Sequence, residues 1–291
     1  MMSSPPPSPG ASLTRFAARG PHRLSYETFG DPESNTVLGL HDLLADHGQL
    51  RSMAEVLRDE GYRVLLPDAR GHGAAAMVSG IAYPPSELAA DDLAILDAEA
   101  VTRADIVAAG WGAFAAFALA ATAPERVASL VLIEPYLPAV LMSHPEARAR
   151  EYAEAHLKVH QEAILAASRG QTDRLLELYP GVRWGAGWRE LMTRPRQGAI
   201  RRASANLAPH LAALAPDVQD GVLLQRVTAP TTVLVRRDAP LVERWTAEAI
   251  ALQVTGAGVQ GVFLPATEAD PSVVSPDWLP AVLRTLQAAG N

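Results

Sequence analysis

The sequence contains no cysteine. That excludes disulfides, thiolate metal ligands and a cysteine nucleophile. Lysine is almost missing: Lys158 stands alone, and the remaining cationic side chains are arginine. A GC-rich genome accounts for such a bias, and heat adaptation is the sharper alternative. No run reaches the ~18 apolar residues of a membrane helix. There is no excess of positive charge, since the net charge is −7 and the pI is near 5.6. This argues against nucleic acid or an anionic membrane surface as partner. The first residues, Met1 to Gly10, have neither a basic start nor an apolar centre. Residues 1–11 therefore read as a disordered tail rather than a signal peptide, and the chain as cytoplasmic. No internal repeat occurs.

What is present suits a globular protein. The 291 residues are 48% hydrophobic and 20% charged, enough for one large α/β domain with or without an inserted cap. An alternating pair, Leu13–Ala18 and His22–Phe29, predicts an opening hairpin turning at Gly20-Pro21. Thr36–Leu40 predicts a buried strand that ends at His41-Asp42. Helical periodicity follows over Gln49–Glu60, with Gly61 as stop signal. Further strands are predicted at Tyr62–Pro67, Val127–Ile133, Thr231–Val235 and Gly261–Leu264. Helices are predicted at Pro84–Ala98, which carries Asp91 and Asp92, and at Pro240–Ala251 and Trp278–Ala289. Between Tyr136 and about Leu224 the strand pattern stops. Three segments there, Pro145–Arg169, Thr172–Tyr179 and Gly198–Ala213, read as helices. Strands alternating with helices predict a doubly wound, mostly parallel sheet.

The most informative stretch runs from Val101 to Ala118. A short apolar strand, Asp105 to Ala109, turns sharply at Gly110-Trp111-Gly112. It continues as Ala113 to Leu119, apolar on every side, which predicts a fully buried helix. Strand, tight turn and buried helix make a nucleophile elbow. On these residues the chain resembles the α/β-hydrolase family, whose elbow reads G-x-S-x-G. The run Ala120 to Val127, with Pro124-Glu125-Arg126-Val127, sets the register, so the motif positions are Ala108 to Gly112 and the serine position is Gly110. Asp68-Ala69-Arg70-Gly71-His72-Gly73 is similar to the family's D-x-R-G-x-G turn. The resemblance covers about Leu13 to Ala289. It implies an α/β-hydrolase fold with core residues 12–135 and 225–291 and a helical cap over 136–224.

The same resemblance implies that the chemistry has been lost. The acid position after the strand at Thr231–Val235 falls on Ala239, with Asp238 one residue early. The histidine position falls on Ala269. No histidine follows His210, so no shift of register supplies a base. A serine needs a base, and the base needs a carboxylate to hold its tautomer. With Gly110, Ala239 and Ala269 in the three places, acyl-enzyme chemistry has no residues to run on.

The expected role is then a binding protein for a small apolar or carbonyl-bearing molecule held between core and cap. The candidate contacts are His41, Asp42, Leu43, Gly110, Trp111, Glu134 and Tyr136. The backbone N–H groups of Leu43 and Trp111 would form an oxyanion hole, and Asp42 replaces the family's glycine beside it. The alternative is an enzyme of altered chemistry, a lyase, isomerase or water-mediated hydrolase, built on His41, Asp42 or Glu134. Glu134, Asp238, Glu268 and Asp270 are placed at strand ends on one rim. No H-x-H or H-x-x-E spacing points to a metal, and no cofactor is expected. His72 reads as structural, and His156 with His160 as an i, i+4 pair on a solvated face. Tyr179, Trp184 and Trp188 read as the cap's core or a lid. A small-molecule ligand and a homodimeric assembly are the partners left open.

Overall fold

A computed structural model describes residues 12–75, 83–184, 187–213, 222–237, 239–262 and 274–289. The tail over residues 1–11 lies outside this range, as do Asp238, Glu268, Ala269 and Asp270.

The first half alternates as the sequence predicts. Strands β1 (Leu13–Arg19), β2 (His22–Phe29) and β3 (Thr36–Leu40) are followed by helix α1 (Arg51–Asp59) and strand β4 (Arg63–Pro67). Helix α2 (Pro85–Ala98), strand β5 (Ala104–Ala109), helix α3 (Gly112–Thr122) and strand β6 (Val127–Ile133) come next. A purely helical stretch then intervenes, with α4 (Ala147–Ser168), α5 (Thr172–Trp184), α6 (Arg194–Ala203), α7 (Leu207–Ala213) and α8 (Val222–Gln225). Strand β7 (Thr231–Arg236), helix α9 (Leu241–Gln253), strand β8 (Gly258–Val262) and helix α10 (Leu279–Ala289) complete the chain. The eight strands form one sheet in the order β1-β2-β4-β3-β5-β6-β7-β8. Only β1–β2 and β2–β4 are antiparallel; the rest pair in parallel.

Parallel strands covered on both faces need apolar residues on both faces. Along β6, Leu130 and Leu132 pack toward α2 and α3, whereas Val131 and Ile133 pack toward α1 and α10. Helix α3 is buried from Gly112 to Ala121, as its lack of a polar side predicts. Three boundaries differ from the sequence reading. α5 runs on through Pro180 to Trp184 instead of stopping at Tyr179, so the proline costs one helical bond without ending the helix. The segment expected as a single helix over Gly198–Ala213 is two helices, α6 and α7, divided by a tight turn at Ser204–Asn206. β8 begins at Gly258, three residues before the expected start. Its glycines and exposed Val259 hide the two-residue alternation that marks a strand.

Among the described residues, no helix is long and apolar enough to cross a membrane.

Candidate functional site

The parallel strands β3, β5 and β6 end side by side, and their C-terminal loops meet at Gly110. This glycine has φ +53°, a left-handed conformation that glycine adopts without a Cβ clash. Its N–H donates to the Ile133 carbonyl at 3.0 Å, and its carbonyl accepts from the Tyr136 N–H at 3.1 Å. The tip is therefore held by backbone bonds from β6 and the loop that follows.

The space where a nucleophile would stand is filled. A Cβ built on Gly110 lies 2.2 Å from Cγ of Asp42 and 2.3 and 2.5 Å from its two oxygens. The Asp42 carboxylate has a defined seat there. Its Oδ1 accepts from the Trp111 N–H at 2.7 Å and from the Leu43 N–H at 2.8 Å. These are the two donors that the sequence assigns to an oxyanion hole. Trp111 opens the first turn of α3, where orphan N–H groups and the helix dipole favour negative charge. Asp42 is 2% exposed, its own N–H is bound by Oε1 of Gln49 at 2.7 Å, and the turn is closed by the Ala45 N–H on the Asp42 carbonyl. The chain's own carboxylate thus takes up both of these backbone donors.

His41 has no ring nitrogen left for chemistry. Nδ1 donates to the Asp42 carbonyl at 2.7 Å, and Nε2 accepts from the Ala69 N–H at 3.0 Å. These partners fix the neutral tautomer, and burial lowers the pKa in agreement with it. His72 is held the same way, with Nδ1 on the Arg70 carbonyl and Nε2 facing the Leu44 N–H. His210 of α7 donates from Nε2 to the same Arg70 carbonyl at 2.9 Å. Its ring stands edge-on to Trp111 at 4.9 Å, 5.0 Å from His72 and 4.7 Å from Tyr83. Burial brings His210 down to about 4 and His72 well below its ordinary value. Arg70 is itself clamped by Asp91 through Nε and Nη2. The D-x-R-G-x-G turn, the elbow and the helical insertion are therefore locked together by neutral imidazoles.

The other expected contacts are brought to the same end of the sheet but are differently engaged. Glu134 has φ +44°, and its Oε1 accepts from Arg236 Nε at 2.6 Å. Tyr136 is 4% exposed, and its ring packs against His160 and Tyr179 at 6.2 and 6.3 Å. Ala239 is buried just past β7. Of the four carboxylates placed on one rim, only Glu134 falls among the described residues.

One expectation is overturned. His156 and His160 do not form a solvated face. His160 is 3% exposed, and burial brings it down to about 4. His156 stacks on Tyr152 at 3.7 Å. The i, i+4 spacing places both on the side of α4 that meets the aromatic residues of the insertion, and a neutral imidazole packs there as a flat ring. Among the described residues, no group of three or more histidine or acidic side chains is arranged to hold a metal. Sequence reasoning did not foresee the seating of Asp42 at the elbow tip or the stack of His41, His72 and His210. The only local signal for the first was an aspartate beside the hole together with a glycine at the tip.

A family model described as alpha/beta hydrolase fold matches residues 35–212, and this chain belongs to that family. It is 30% identical over 229 residues to a protein of Variovorax paradoxus named "Putative carbamate hydrolase RutD", a match spanning 77% of this chain and 80% of that one. It is 31% identical over 131 residues to epoxide hydrolase A of Mycobacterium tuberculosis, covering 44% of this chain and 41% of the relative. In structure it is similar to an alpha/beta hydrolase from Sphaerobacter thermophilus, with TM-score 0.73 and 19% identity over 94% of this chain and all of the other.

Proposed function

We propose that this chain is a hydrolase-fold protein that does not run acyl-transfer chemistry. The observation that supports this reading is the Asp42 carboxylate, which occupies both oxyanion donors and the volume above Gly110. A substrate carbonyl entering this niche meets no free donor and no nucleophile, and it is repelled as its oxygen gains charge. Removing the tip side chain, filling its place with a carboxylate and consuming both nitrogens of His41 all point the same way. The ligand class that fits such a site is a small apolar molecule held between the core and a cap formed by residues 136–224, since the polar donors at the tip are satisfied internally.

Two measurements test the reading. The purified chain is assayed with aryl esters of short and long acyl groups, and no turnover above the uncatalysed rate is expected. Turnover at the level of an intact hydrolase would end the proposal. In the second, acetate is titrated against the native chain and against Asp42→Gly while the melting temperature is followed. Acetate should stabilise the variant saturably and leave the native chain unmoved, because only the variant presents two free N–H groups. Equal responses from both would show that the niche is not occupied as described.

A further inference from the structure

A buried carboxyl lies beside the elbow, in the middle of α2. Asp92 is 6% exposed, and its carboxyl makes no hydrogen bond to another described residue. Its neighbour Asp91 differs sharply, being engaged by both Arg19 and Arg70. Burial first, and the adjacent Asp91 second, push the Asp92 carboxyl well above the usual carboxylate range. Its protonated form, which burial favours, has one O–H to donate and a carbonyl oxygen to accept. Folded proteins rarely leave such a group without a partner.

A cavity of about 30 Å³ adjoins this side chain. Asp91, Asp92 and Arg70 give it a polar wall, while Leu88, Ile95 and Ala115 give it an apolar one. One water needs roughly 10–15 Å³ of such space and two to four polar partners. The volume therefore suits about two waters and is far below the several hundred Å³ of a drug-sized ligand pocket. His41 also borders the space, but its nitrogens are bound to backbone, so it adds shape rather than a hydrogen bond. An entirely apolar cavity of this size would stay dry; the polar wall makes the difference.

We propose that this cavity is an internal hydration site, in which one or two long-lived waters hydrogen-bond the Asp92 carboxyl and connect it to the wall formed by Asp91 and Arg70. The waters complete the packing of α2 against the first turns of α3.

The test is a high-resolution crystal structure of the protein together with water-to-amide nuclear Overhauser measurements in solution. Water is expected within hydrogen-bonding distance of the Asp92 carboxyl. Asp92→Asn keeps the shape and the neutral state, so it should retain that water. Asp92→Leu fills the space with carbon and should expel it, with loss of the solution signal. A dry cavity in the native protein, or the same waters persisting in Asp92→Leu, would overturn the proposal. Should Asp92→Leu fail to fold, Asp92→Asn decides alone: waters retained support the site, and waters lost from a folded variant overturn it.

Discussion

At the scale of single residues, Asp42 and Gly110 belong together. A side chain at Gly110 meets the Asp42 carboxylate at under 2.6 Å and sits at φ +53°. Strain of this kind costs on the order of 1–3 kcal/mol. Gly110→Ala should therefore lower the urea midpoint, and Gly110→Ser should do so without creating esterase activity. If the contact is the cause, the double variant Asp42→Gly, Gly110→Ala should be less destabilised than the sum of the two single changes. A coupling of about 0.5–3 kcal/mol is the usual range for touching residues, and strict additivity would show that the two do not meet. Each of these residues was legible in the sequence by its place in a motif. Their contact was not, because it joins the ends of β3 and β5, and a chain read in order does not reveal what two neighbouring loops do to each other.

At the scale of elements, α3 is the part the sequence reported best. Its ten apolar or small residues from Gly112 to Ala121 are all buried, and a helix without a polar side has no other place to be. The insertion was legible as helical but not in its divisions. The expected end of α5 at Tyr179 is passed, since the helix runs on through Pro180 to Trp184, and the histidines of α4, read as a solvated pair, meet Tyr136 instead. Gly112 sets how closely α3 approaches β3. A Cβ there would lie 2.5 Å from the Leu40 carbonyl oxygen and 2.8 Å from that of His41. Both are backbone atoms and neither can rotate away. Gly112→Ala should cost about 1–3 kcal/mol as an overpacking change, measured by urea unfolding. A neutral result would mean that α3 shifts outward freely.

At the scale of the whole molecule, the buried histidines predict a fold that loses stability in acid. Burial lowers His41, His72, His156, His160 and His210, with His160 and His210 at about 4. Unfolded, each would titrate near 6.5. Between those values the unfolded chain binds more protons, so stability is complete above pH 6.5 and falls as pH drops toward 4. His47 runs the other way. Its hydrogen bond to Asp68 outweighs burial and raises it, so its contribution is present below 6.5 and is lost as pH rises through its folded value. Asp68 is opposed by burial but lowered on balance by His47 and His41, so its contribution disappears only at still lower pH. Asp92 and Asp105, whose carboxyls burial raises, act in the same sense as His47, so three groups oppose the five lowered imidazoles and the imidazoles, more numerous, set the sign. Urea midpoints should decrease steadily from pH 7 to pH 4.5, and His210→Phe should flatten that slope by about one proton. A flat profile in the native protein would contradict the neutral stack that joins α7 to the elbow.

The seating of Asp42 also bears on descent. Adding a nucleophile at position 110 while the carboxylate is present forces a collision. Withdrawing the carboxylate first leaves two amide donors unanswered at the start of α3. Either order passes through a weaker protein, so selection for folding alone opposes the arrival of a serine at the tip.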